Sequence, residues 1–155
     1  TEISLKGLTA QEAKVLIKYD DAYLYIAFQN LINDQQIRFN PEVLINTVSK
    51  DSIWNDNSYW FHSSYSNCSA VGAYYNWEDC SMSPAGWKAN TFPFKKGNNN
   101  IEFKISFSKL KIAPIKGNQL KVAFKLSDPL EEQFYWPTTA IISKPATWGI
   151  LKFQE

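Results

Sequence analysis

The chain has 155 residues, 45% hydrophobic and 15% aromatic, and sixteen Lys and Arg against fifteen Asp and Glu leave a net charge of +1. Such a composition excludes a disordered chain, which cannot bury enough apolar surface to offset its ordering entropy, and it supplies no field strong enough to recruit nucleic acid or an anionic membrane. The longest apolar stretch, Ala22 to Phe28, is far shorter than the roughly 20 residues of a spanning helix.

In chain order, Thr9-Ala10-Gln11-Glu12 fits a helix capping box, which would make Ala13 to Tyr19 helical. Val15, Ile17 and Tyr19 also alternate with Lys14, Leu16 and Lys18, and the period of two favours a strand over Lys14–Lys18. Further strands are expected at Ala22–Gln29, Val43–Asn46, Ser58–Ser63 and Ala70–Tyr75, all rich in β-branched or aromatic residues and bounded by Asn, Asp, Gly or Pro. Ile101, Phe103, Ile105 and Phe107 alternate with Glu102, Lys104 and Ser106, so one face is apolar and the other polar. A helical turn after Ser108 would cover Lys109–Lys111. Gly117-Asn118 then provides a turn before Leu120, Val122, Phe124 and Leu126, which alternate with Lys121, Ala123 and Lys125. Thr138–Ile142 and Trp148–Phe153 complete the set. Short strands without intervening long helices predict an all-β fold, an antiparallel β-sandwich with jelly-roll or immunoglobulin-like layers, because each sheet must bury an apolar face. No repeat or linker interrupts the chain, so residues 1–155 read as one domain.

Candidate chemistry is tested by counting. Cys68 and Cys80 are the two cysteines; their spacing permits a disulfide in an exported protein, with buried thiols as the other reading. A structural zinc needs four ligands, and His62 is the single histidine. A nucleophilic triad would have to run through that same His62, whose neighbours read as strand and turn. Asp51, Asp56, Glu78 and Asp79 are acids that could meet across a cleft as a glycosidase pair, although acids in such Asn/Ser-rich turns more often face solvent. No phosphate-cradling glycine loop, G-x-S-x-G or H-E-x-x-H is present. The expectation is a noncatalytic domain.

Tryptophan is the informative excess. Trp54, Trp60, Trp77, Trp87, Trp136 and Trp148 are six in 155 residues, and four fall between positions 54 and 87 among asparagines, serines and tyrosines. Flat rings stack on the C–H face of a sugar while Asn and Asp meet its hydroxyls, a mixture that suits a neutral polar ligand. A ligand site is therefore expected from Trp54, Tyr59, Trp60, Trp77 and Trp87, with Asn55, Asp56, Asn57 and Asn76 as polar partners. The competing reading is that these rings fill the interior.

Four segments, Tyr19-Asp20-Asp21-Ala22-Tyr23-Leu24-Tyr25-Ile26-Ala27-Phe28, Ile53-Trp54-Asn55-Asp56-Asn57-Ser58, Asn100-Ile101-Glu102-Phe103-Lys104-Ile105 and Pro145-Ala146-Thr147-Trp148-Gly149-Ile150-Leu151, resemble, in order and spacing, the family 9 carbohydrate-binding modules and their DOMON-like relatives. The resemblance implies an antiparallel β-sandwich that binds oligo- or polysaccharide beside polysaccharide-degrading enzymes, exported and often with structural calcium. It places Trp54 at one wall of the family's sugar slot, Asn57 with Asp56 at its aspartate, Trp60 at its glutamate and Ile142 at its second aromatic wall. The only arginine, Arg38, does not match the family's binding arginine. Calcium would draw on Asp20, Asp21, Asp34, Asp51 or Asp56, acids that also cap turns. Haem, held in some DOMON-like domains by Met and His, would here need Met82 and His62. A protein-interaction module using exposed aromatics is the alternative of a different class.

Overall fold

The computed structural model of the chain describes residues 2–6, 12–32, 40–63, 67–72, 74, 76–77, 85–93, 98–127 and 133–154. Two antiparallel sheets face each other. The first has the order β1 (Glu2–Lys6), β2 (Glu12–Tyr19), β3 (Tyr23–Ile32), β8 (Asn98–Ser106) and β7 (Trp87–Pro93). The second has the order β10 (Gln133–Trp136), β9 (Gln119–Ser127), β4 (Asn40–Asn46), β5 (Ser58–Ser63) and β6 (Asn67–Val71), and β11 (Gly149–Lys152) also pairs with β9. The expected sandwich is what the chain forms.

The alternating residues build its interior. Val15 and Ile17 on β2, Leu24, Ile26 and Phe28 on β3, and Phe103 and Ile105 on β8 point inward from the first sheet; Val43, Ile45, Tyr59, Phe61, Val122 and Phe124 answer from the second. Phe28 packs edge-on against Phe103 of its own sheet at 5.8 Å and Phe124 of the other at 5.9 Å, the tilted geometry that ring quadrupoles favour.

The strand favoured over Lys14–Lys18 is present as part of β2, because the apolar period of two finds partners on both sides, β1 and β3; Thr9 to Gln11 of the competing capping box lie outside the described residues. Other expectations are corrected. The helical turn is Phe107–Leu110 (α1), starting two residues earlier than expected, because the Ser106 hydroxyl accepts the Lys109 N–H and Lys111, at φ 55°, closes it in a left-handed cap. Of the described residues within Ala70–Tyr75, Ala70 and Val71 are strand, at the end of β6, and Gly72 turns the chain at φ 78°; residues 73 and 75 lie outside the described residues. Thr138–Ile142 is a run of turns, with Ala140 N–H bonded to the Pro137 carbonyl and Lys144 N–H to that of Ile141. The strand lies earlier, at Gln133–Trp136, where Phe134 and Trp136 pack on the core. β1 and β7 carried no clear alternation in sequence; β7 is an edge strand exposed beyond Trp87 and Ala89.

The second sheet departs from a plain sandwich in one respect. Six of the seven residues of β4 are buried, so its outward side is covered as well as its inward one. A second apolar cluster of Leu44, Trp60, Ala70, Ala123 and Trp148 occupies that outer face.

Candidate functional site

Strand register explains the outer cluster. Leu44 pairs with Trp60 on one side and Ala123 on the other, Trp60 pairs with Ala70, and Ala70 bridges to Trp77. Gly149 opposite Val122 brings Trp148 level with Ala123. Directly paired residues share a face, so three indoles, Trp77, Trp60 and Trp148, lie in one row, with small Ala70 and Ala123 leaving room between them. Trp54 and Tyr74 come over this row from flanking loops. Trp54 meets Tyr74 at 5.4 Å, Trp148 at 6.1 Å and Trp60 at 6.5 Å, and its backbone N–H is held by the Ser143 carbonyl. Trp77 lies 4.8 Å from Trp60.

Exposure sorts these rings. Trp60 and Trp148 are buried, Trp54 and Tyr74 are half-buried, and Trp77 is 37% exposed. Indole N–H groups of Trp60 and Trp148 donate to Glu42 and to the Ile141 carbonyl. Those of Trp54 and Trp87 are enclosed without a hydrogen-bond partner among the described residues.

The next row on the same face is polar. Glu42 stands opposite His62 and Lys125, and Tyr135 opposite Lys125. One oxygen of Glu42 takes the Trp60 indole N–H and the other takes the Lys125 ammonium at 3.1 Å, in an ion pair whose side chains are 6% and 10% exposed. The Lys125 ammonium also sits 5.5 Å from the Trp60 ring. Burial pushes His62 below its ordinary value against the pull of Glu42, while burial and then Glu42 raise Tyr135.

A third, hydrophilic set borders the row at the Trp54 loop. Asn46 and Asn57 donate to the Asp51 carboxylate at 3.2 and 3.0 Å, and Lys121 reaches the Asp51 carbonyl. Burial works to raise Asp51, but bonds from Asn55, Asn57 and Asn46 with the Lys121 charge outweigh it and hold the carboxyl below its ordinary value. Asp51 is thus a structural anchor of this loop.

The expected site residues separate into two groups. Trp54, Trp60, Trp77, Asp56 and Asn57 gather at the outer face of the second sheet, where Asp56 is exposed beside Gly72 and Asn57 braces the loop. Tyr59 and Trp87 do not join them. Tyr59 alternates with Trp60 and so points inward, 2% exposed and stacked on Phe61; Trp87 is 4% exposed, wedged between Phe61 of one sheet and Phe103 of the other. Placing these two at a ligand surface is corrected by strand alternation. Trp148, Tyr74, Glu42 and Lys125 belong to the site and carried no separate signal in sequence, although Trp148 stood in the closing Pro-x-x-Trp-Gly segment. Ile142, the position of the second wall, packs against the cluster beside Trp54.

Metal and haem expectations fall partly on undescribed positions. Asp34, Glu78, Asp79, Cys80 and Met82 lie outside the described residues. Asp20 uses its carboxylate on the N–H groups of Ala22 and Tyr23 and on the Tyr25 hydroxyl. Among the described residues no three His, Cys, Asp or Glu side chains cluster closely enough to hold a metal. His62 packs 6.0 Å from Trp77.

Among solved structures the chain is similar to a carbohydrate binding module family 9 from Caldicellulosiruptor kristjanssonii in complex with glucose, with a TM-score of 0.68, 17% identity, and 94% of this chain and 78% of that one covered. The likeness is one of fold: the two-sheet sandwich resembles that of this module. The chain matches no protein-family model and no curated protein.

Proposed function

We propose that the chain is a noncatalytic carbohydrate-binding module whose ligand rests on the aromatic shelf of the second sheet. The observation that carries this reading is the pair of partly open indoles, Trp54 and Trp77, both leaning on buried Trp60 and bordered by Asn55, Asp56, Asn57 and Asn76. Rings fixed from behind present a rigid apolar plane that loses little entropy on contact, while the exposed Asp56 carboxylate and Asn76 amide at the rim supply acceptors and donors. Glucose bound by the similarly folded module supports a saccharide as the ligand class. Beside the shelf, the Glu42–Lys125 pair fixes the Trp60 indole and positions the ring on which both open ones rest. In this reading the module is exported and acts beside polysaccharide-degrading enzymes.

The test is affinity electrophoresis in gels containing soluble polysaccharides, comparing the natural chain with Trp54→Ala and Trp77→Ala. Retardation that is weakened in both variants, with their circular dichroism unchanged, is the expected result. Equal retardation of all three proteins would sink the proposal.

A further inference from the structure

The outer face of the first sheet carries a groove that the aromatic shelf does not account for. Side chains opposite the interior-facing Val15, Ile17, Ile26, Phe28, Phe103 and Ile105 point to this face, and register places them in rows: Glu2, Leu16, Ala27 and Glu102 in one, Lys18, Tyr25 and Lys104 in the next. The methyl group of Ala27 is the low point. Leu16 and Glu102 rise beside it on the neighbouring strands, and Tyr25 and Gln29 rise on either side along β3, enclosing a hollow of about 470 Å³. That volume falls in the range of small-ligand sites, roughly 300–1,000 Å³.

The ring that walls the hollow is held in place. The Tyr25 hydroxyl donates to Asp20 at 2.9 Å, and Asp20 is itself fixed by the Ala22 and Tyr23 N–H groups. Ammonium groups of Lys18 and Lys104 stand 5.1 and 5.6 Å from the ring centre, and Tyr23 continues the aromatic surface at 6.2 Å. Both signs of charge line the hollow, Glu2 and Glu102 with Lys18, while Lys14 pairs with Glu2 at 2.8 Å on the rim and Lys104 stands beyond Tyr25. An anion would meet the carboxylates and a cation the lysines. A hydroxyl both donates and accepts, so a neutral, hydroxyl-rich ring complements both signs together with the Gln29 amide.

We infer that this groove is a second saccharide-binding platform, on the opposite sheet from the aromatic shelf, with Tyr25 as the stacking wall, Ala27 as the floor, and Glu102, Lys18 and Gln29 as hydrogen-bonding partners for a neutral sugar. Its open sides suit a sugar inside a chain, and two platforms on one small domain raise avidity for a polysaccharide without any new contact between them.

The experiment is affinity electrophoresis and calorimetry with a soluble β-glucan, a xylan and a galactomannan, using Tyr25→Ala, Ala27→Gln, Trp54→Ala and the Trp54→Ala/Ala27→Gln double variant. Ala27→Gln fills the floor from an outward-facing strand position and leaves the interior untouched, so it keeps the test meaningful if Tyr25→Ala folds poorly. Expected are a fall of about tenfold in association constant for Ala27→Gln and Tyr25→Ala, residual binding in Trp54→Ala, and none in the double variant. Binding unaltered by Ala27→Gln and Tyr25→Ala, or wholly abolished by Trp54→Ala, overturns the second platform and leaves the shelf standing. Binding lost in Ala27→Gln but untouched in Trp54→Ala upholds this groove and removes the shelf. Self-association in light scattering that Ala27→Gln abolishes assigns the groove to a second copy of the chain and overturns the inference.

Discussion

Three tryptophans close together in the chain meet three different fates. Trp87 separates the two sheets, Trp60 is buried outside them, and Trp77 is open to solvent. Truncation should separate them. Trp87→Ala leaves a cavity between layers and is expected to cost about 3–5 kcal/mol in denaturant unfolding, with sugar binding intact in the folded fraction. Trp77→Ala should leave the midpoint nearly unchanged and weaken retardation on polysaccharide. The sign of the His62 effect is fixed by its burial, which lowers its folded value below the ordinary 6.5. A base whose folded value is depressed binds fewer protons when folded, so its stabilising contribution is full above 6.5 and is lost as pH falls through the window between 6.5 and the folded value. An NMR titration of the His62 ring should show a midpoint below that of an unstructured histidine; a midpoint at or above it would contradict this burial.

At the scale of elements, β4 is covered on both sides, as its neighbour β9 is from Val122 to Leu126. Val43 and Ile45 enter the sandwich core, while Glu42 and Leu44 are equally buried on the outside. Removing one member of a buried ion pair leaves the other charge without compensation, so Glu42→Ala should destabilise the fold by about 3–5 kcal/mol and release the Trp60 indole. The paired replacement Glu42→Met with Lys125→Leu should recover much of that loss, read as denaturant midpoints. β11 depends on a close approach: a Cβ on Gly149 would stand 2.4 Å from Trp136, whose ring packs on Phe124 at 5.7 Å. Gly149→Ala is therefore expected to cost about 1–3 kcal/mol by overpacking. Strands whose two faces differ, such as β2, β8 and β9, were legible because a period of two survives in the residues. β4 was legible as an apolar run but not as a strand buried on both sides. β10 was misplaced by a few residues, since Thr138–Ile142 has strand-like composition and its turns arise from Pro137 and tertiary bonds such as Trp54 N–H to Ser143.

Considered as a whole, the molecule is a two-layer sandwich with part of a third layer, the aromatic cap on the second sheet. The two-layer architecture could be read in advance because alternation and ordered family-like segments both report on backbone pairing. The site could be read only in part. Register and alternation send Tyr59 and Trp60 to opposite faces although they are neighbours in sequence, and composition is blind to that choice. Trp148 joins Trp54 only because the register of β11 on β9 sets it there, a contact between residues 94 positions apart in the chain. Cys68 is buried on β6 at the edge of the second sheet, and we propose that it pairs with Cys80. Intact-mass analysis should show no alkylation of the unfolded, unreduced chain and two adducts after reduction, and reduction should lower stability by about 2–4 kcal/mol.

Strand β9 divides one of its edges between two partners: β10 occupies positions 124–127 and β11 positions 119–122. Everything between those partners leaves the sheet and returns to the same strand, so its two ends are anchored while its middle is released over the indoles of Trp54 and Trp148. A change of length there would leave the two ladders to β9 in place and move instead the Ile141 and Ser143 carbonyls that hold Trp148 and Trp54.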